Sequence, residues 1–216
     1  TSAPLPPPPP PPPSASRLDL LPYLRGAHRR QFDMGYDGGT QTTQVYHLSD
    51  RDWLFVKGEN GDYERLGLRT WNGQEWIFRF EDTSETAARF YAHYRAKGGE
   101  IGAPWFPRYA EIGKWYETLK YVQHYLKAGC APLNGDDVMD RLRLISGPRT
   151  VTYSESGARL DGVITLEWAE GEQYDFALGR GNVAFRDGGR RFWFIGDLEG
   201  RADKPFRKPG CIQLGW

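Results

Sequence analysis

Alternation of apolar and polar positions with a period of two recurs along most of this chain, and it predicts strands joined by short turns. Gln44 to Leu48, Trp53 to Lys57, Tyr63 to Trp71 and Glu75 to Glu81 follow in succession, with Gly58 to Gly61 and Asn72-Gly73 as turns. Asn-Gly between two apolar runs suits a two-residue hairpin, because both residues tolerate positive φ. Within Trp76 to Glu81 the alternation places Trp76, Phe78 and Phe80 on one face, which reads as core. Further on, Asp140 to Ser146, Arg149 to Tyr153, Gly162 to Trp168, Gln173 to Leu178, Asn182 to Arg186 and Arg191 to Gly196 predict an antiparallel meander. Ile164, Leu166 and Trp168 share a face there.

Two segments carry a helical period instead. Asp82 to Ala96 has Asp82 or Ser84 as a cap, Glu85 in the first turn, Ala87, Phe90, Tyr91 and Tyr94 at helical spacing, and Gly98-Gly99 as a stop, so it is expected to be a helix. Trp115 to Leu126 fits either period, and its aromatic and β-branched content favours a strand. The fold expected is therefore mainly β, an antiparallel sandwich or barrel-like meander with one short helix. Trp53 to Gly58 echoes Tyr174 to Gly179, and Trp76 to Glu81 echoes Phe192 to Asp197, which leaves open two related β lobes at 17–110 and 111–216.

Nine of the first thirteen residues are proline. The unbroken run Pro6, Pro7, Pro8, Pro9, Pro10, Pro11, Pro12 and Pro13 favours a polyproline II rod of roughly 25 Å at about 3.1 Å per residue. Residues 1–16 are thus read as an extended arm or linker and 17–216 as the globular body, with Leu18 to Leu24 as a short helical turn or strap around Pro22. Such an arm is either a passive spacer or a segment that docks on an aromatic groove, because a pre-extended chain loses little entropy on binding.

Composition narrows the setting. Lys plus Arg and Asp plus Glu are equal at 28 each, so no global field attracts nucleic acid. A mean hydropathy of −0.66 and the lack of any long apolar run argue against a membrane-spanning helix. The chain opens at Thr1 without a methionine, which reads as the processed end of an exported protein. In an oxidising compartment Cys130 and Cys211 would close a long loop as a disulfide, worth about 4 kcal/mol on the chain-entropy model. Their spacing does not suit zinc.

Candidate chemistry is sparse. No nucleophile elbow, zinc-protease, P-loop or dinucleotide signature occurs, and Gly179-Arg180-Gly181 reads as a turn between strands. His28, His47, His93 and His124 are scattered. Glu81, Glu167, Asp175 and Asp197 lie on or beside aromatic strands, as the paired carboxylates of a glycoside hydrolase would. Asp33 to Asp37 and Asn134 to Asp137 offer oxygen ligands for calcium but no full loop, and both are expected to be solvated turns. Trp71, Trp105 and Trp216 sit in turn-like or terminal contexts where an exposed ring could stack on a sugar. The leading expectation is a non-enzymatic structural or adhesive protein, extracellular or on the cell surface, that assembles with other copies through its arm. A carbohydrate-binding module that recognises cell-surface glycan comes next, then an exported glycoside hydrolase; no cofactor and no metal is expected.

Overall fold

The computed structural model describes residues 17–58, 62–86, 90–95, 101–126 and 131–202, excepting the side chains of residues 84–86, 90–93 and 134. The proline arm, Cys130, Cys211 and Trp216 lie outside the described residues, and so do the expectations attached to them. The chain runs through β1 (Leu18–Asp19), α1 (Leu21–Leu24), β2 (Gln31–Tyr36), β3 (Gly39–His47), β4 (Asp52–Lys57), β5 (Asp62–Trp71), β6 (Gln74–Thr86), β7 (Phe90–Arg95) and β8 (Ala103–Pro107). It continues through β9 (Tyr109–Ala110), β10 (Trp115–Leu126), β11 (Pro132–Thr152), β12 (Arg159–Trp168), β13 (Gln173–Ala177), β14 (Gly181–Asp187) and β15 (Arg190–Asp197).

Thirteen of these strands form one antiparallel sheet, ordered β5-β4-β3-β2-β15-β14-β13-β12-β11-β10-β7-β6-β8. β5 also pairs with β6, which joins the two ends of the sheet and curls it into a nearly closed barrel. Closure removes the exposed edges that would otherwise pair with other chains. Strands from both halves of the sequence share this one wall. The Asn72-Gly73 turn forms as expected, with φ of 49° and 74°, and Trp71 pairs with Gln74 across it.

The helix expected over Asp82 to Ala96 is not formed. Its first part extends β6 and its last part is β7, with Glu81 paired to His93, Asp82 to Ala92 and Thr86 to Phe90. Helical spacing was present, but Thr83, Thr86, Phe90 and Tyr94 belong to the residue types that favour strands, and the hairpin gains partners on both sides. Thr83 adds a tie, its hydroxyl accepting the backbone N–H of Tyr63 at 2.7 Å. Further corrections concern β6, β11 and β2. On β6 the alternation turns Ile77 and Arg79 inward, opposite Leu68 and Leu66, so Phe78 lies on the other face and is half-buried, and a bulge follows between Arg79 and Glu81. Asn134 to Asp137 lies within β11 rather than in a turn, and Asp33 to Tyr36 lies within β2, with only Asp37 in the turn that follows.

The barrel core is apolar at one end. Phe32, Trp53, Phe55, Leu66, Ile77, Leu144, Ile164 and Val183 are inaccessible or nearly so, and Leu20 and Leu24 of the α1 segment join them. α1 acts as a plug between opposite walls. The Trp53 indole N–H on β4 donates to Leu24 O at 3.0 Å, while Gly179 N, five strands away round the wall, donates to Pro22 O at 3.0 Å. Beside it the walls close together, with Phe55 of β4 packed against Gly181 of β14 so tightly that a Cβ there would lie 2.2 Å from the ring.

Candidate functional site

The other half of the barrel interior is lined differently. Inward direction follows from the core: Leu66 and Leu68 on β5 point in, so Glu64 does too, and Ile77 on β6 fixes the same for Arg79. Leu142 and Leu144 on β11 point in, as do Asp140 and Val138, which face Thr118 and Lys120 on β10. Phe176 on β13 sets the direction of Tyr174.

Charged side chains thus occupy the inner face of β5, β6, β10 and β11. Arg79 Nε lies 3.0 Å from Glu64 and its terminal nitrogen 3.2 Å from Asp82. Lys57 reaches Glu64 at 3.9 Å, and buried Lys120 is ion-paired with Asp140. The Tyr94 ring receives both cations, the Arg79 guanidinium at 4.4 Å and the Lys120 ammonium at 4.7 Å. Such burial of charge is costly and is met here by pairing.

Aromatic rings occupy the facing wall as a continuous band. Successive centroids are 5.8 Å apart from Trp105 to Trp168, 4.6 Å to Tyr174, 4.7 Å to Phe185, 6.0 Å to Phe192 and 5.6 Å to Tyr36. The Tyr174 hydroxyl donates to Glu172 at 3.0 Å. Burial pushes the Glu172 carboxyl above its ordinary range, only partly offset by the Tyr174 hydrogen bond and by the charge of Arg79 across the barrel. Burial likewise raises the Tyr174 hydroxyl, with the Glu172 charge adding to it, so the phenol stays protonated.

Trp105 Nε1 and Thr118 Oγ1 on this inner surface have no hydrogen-bond partner among the described residues. Both residues are only 3% exposed. An unpaired buried donor costs about 1–3 kcal/mol, so a partner supplied from outside the chain would relieve a real penalty.

The residues singled out by sequence fall elsewhere. Trp105 is not a surface ring but part of the interior band, because Pro104 and Phe106 belong to a strand buried along its whole length. Trp71 is half-buried and packs edge-on against Trp76 at 4.7 Å. The four carboxylates considered for hydrolysis do not gather in one cleft. Asp175, fully buried, accepts from Thr165 at 2.6 Å, from Arg186 at 3.0 and 3.1 Å and from Tyr153 at 3.3 Å. Glu167 is held by Arg143 and Gln173, and Asp197 by Arg30 and Arg180. Glu81 is buried opposite Arg65. Asp33, on β2, accepts from Thr42 at 2.7 Å, and no cluster of three potential metal ligands occurs among the described residues. Of the histidines, His28 and His47 come together with ring centroids 5.2 Å apart.

Sequence reasoning missed Glu64, Arg79, Lys120, Asp140 and Tyr174. A charge alternating with core residues along a strand, as Glu64 does with Leu66 and Leu68, was the available signal, but it resembles any solvated face until the barrel closes. Comparison of the chain with family models, curated proteins and solved structures finds no match.

Proposed function

We propose that this protein is a binding barrel that holds a small amphipathic ring compound between the aromatic band and the charged wall. The carrying observation is the asymmetry of its interior. One half is filled by apolar side chains and the α1 plug, as stability alone requires, while the other half places ion pairs and two unpartnered polar groups against a row of rings. The aromatic band suits the flat face of a ring, and Arg79, Thr118 and the Trp105 N–H suit its polar substituents. This reading is related to carbohydrate recognition expected from sequence, but moves the rings from the outer surface to the interior.

Titration with N-phenyl-1-naphthylamine, a neutral amphipathic ring compound that fluoresces when desolvated, tests it. Saturable one-to-one binding is expected, with emission excited through the neighbouring tryptophans and reduced when Trp168 is changed to Phe. Tyr174→Ala should weaken binding about tenfold, the scale of one lost aromatic contact. Failure of the folded wild-type protein to bind the probe saturably would overturn the proposal.

A further inference from the structure

β8 and β10, the strands that carry Trp105 and Thr118, do not pair with each other. At one end of the barrel β7 bridges β6 to β10, while at the other end β8 pairs with β6 alone and leaves a seam against β10. Side chains close this seam instead of backbone bonds. Phe106 of β8 meets Tyr116 of β10 edge-on, with ring centroids 5.2 Å apart, and Ala103 clusters with Tyr94 and Val122. These two contacts bracket Trp105 and set it beside the stretch of β10 that holds Thr118 and Lys120.

Trp105 is the extra residue of a bulge on β8, between Pro104, opposite Phe78, and Phe106, opposite Ile77, and its ring turns inward to Trp168 and the Arg79 guanidinium. Thr118 shares the inward face of β10 with Lys120 and Val122. Both are buried, and Trp105 Nε1 and Thr118 Oγ1 bond neither to each other nor to another described residue. An indole nitrogen can only donate and a hydroxyl has one proton to give, so the seam presents two donors that lack an acceptor. A carbonyl oxygen has two lone pairs and takes both. An alcohol would bring a third proton and leave one of the three unpaired. The cations nearby are already met by carboxylates, Arg79 by Glu64 and Asp82 and Lys120 by Asp140. An anion entering here would compete with those carboxylates after losing its hydration, whereas a neutral carbonyl needs only the two uncharged donors.

We propose that the guest of the barrel is an uncharged ring ketone whose carbonyl oxygen is held at the β8–β10 seam by the Trp105 N–H and the Thr118 hydroxyl. This rests on the reading of the interior as a binding site and adds which polar group the guest carries. The ring body of such a ketone lies along the band that starts at Trp105 and runs through Trp168 to Tyr174. A site that donates to an oxygen selects against the analogue lacking it, because the buried donors are then left unpaired.

Displacement of N-phenyl-1-naphthylamine from the full chain by four compounds built on one ring system tests this: 9-fluorenone, 9-fluorenol, fluorene and fluorene-9-carboxylate. 9-Fluorenone should bind about tenfold or more tighter than each of the others, the scale of one buried hydrogen bond left unmade. Thr118→Val and Trp105→Phe should each reduce the ratio of 9-fluorenone to fluorene affinity by about threefold or more, a ratio from which general repacking of the rings cancels. Thr118→Val removes an unpaired hydroxyl and keeps its shape, so the melting temperature of the empty protein should not fall. Failure of N-phenyl-1-naphthylamine to bind would overturn the reading of the interior and this inference with it. If it binds and fluorene displaces it as readily as 9-fluorenone, the interior still binds rings and the ketone falls alone. The ketone falls likewise if 9-fluorenol or fluorene-9-carboxylate binds as tightly as 9-fluorenone, if either variant keeps the wild-type ratio, or if Thr118→Val lowers the melting temperature.

Discussion

At the residue scale, Gly181 shows how a single missing side chain shapes the interior. Its φ of 82° lies in the left-handed region, and a Cβ would sit 2.2 and 2.3 Å from two atoms of the Phe55 ring. Backbone strain and steric overlap both oppose any larger residue, so Gly181→Ala should cost about 3 kcal/mol, summing roughly 1–2 for the backbone and 1–3 for overpacking. Urea unfolding would measure this; a loss below half a kcal/mol would mean that the two walls do not meet there. The sequence presents Gly179-Arg180-Gly181 only as a turn. That part was legible, because glycine punctuates strands locally, whereas the contact with Phe55 depends on a strand far away in sequence and had no local signature.

At the scale of elements, the hairpins were readable and the long-range ties were not. Trp71 to Gln74 and Gln173 to Arg186 follow from alternation and turn residues, which act within a few positions. The segment from Asp82 to Tyr94 was misread because its apolar residues fit a helical period, while the partners that make it a hairpin, β5 and β10, lie outside any local window. Tertiary pairing outweighs weak local preference.

Arg108 is a second tie of this kind, joining β1, the start of α1 and β6. It holds Asp19 through two nitrogens at 3.0 and 2.8 Å and Glu75 at 2.7 Å. Burial alone would raise the Asp19 carboxyl, but the Arg108 hydrogen bonds, the Leu21 N–H and the Arg108 charge together lower it from 3.8. A carboxyl depressed in the folded state stabilises above its unfolded value, and that contribution disappears as pH falls through the folded value. Arg108→Gln should therefore cost about 1 kcal/mol at neutral pH, a figure kept small because the pair is partly solvated. The gap between wild type and variant should stay constant above about pH 5 and narrow as the pH drops below 4. Denaturant titrations across this range measure it, and a gap that widens on acidification would contradict the assignment.

For the whole molecule, the β-rich class and barrel-like closure follow from the same alternation that marks the strands, repeated often enough to make one long sheet with a single buried face that curls around its core. What alternation does not specify is which face turns inward. Glu64, Arg79, Lys120 and Asp140 look like solvent positions in sequence, and only the β5–β6 pairing turns them toward the Trp105 to Tyr36 band. Removing residues 1–16 should leave the melting temperature of the barrel within about 2 °C of that of the full chain, since the described core begins at Leu18 and Leu20, and a shift of that size corresponds to about 0.5–1 kcal/mol. A large drop would show that the proline arm contributes to the folded body. Electron microscopy of the same two proteins would also show whether the arm drives assembly.

A crystal structure of the protein with N-phenyl-1-naphthylamine tests whether the interior of the barrel holds a ring compound. Density is expected for one probe molecule inside the barrel, its rings against Tyr174 and Phe185 and its amine directed toward Arg79 or Thr118. A probe found only on the outer surface, with the interior side chains closed around one another, would contradict it.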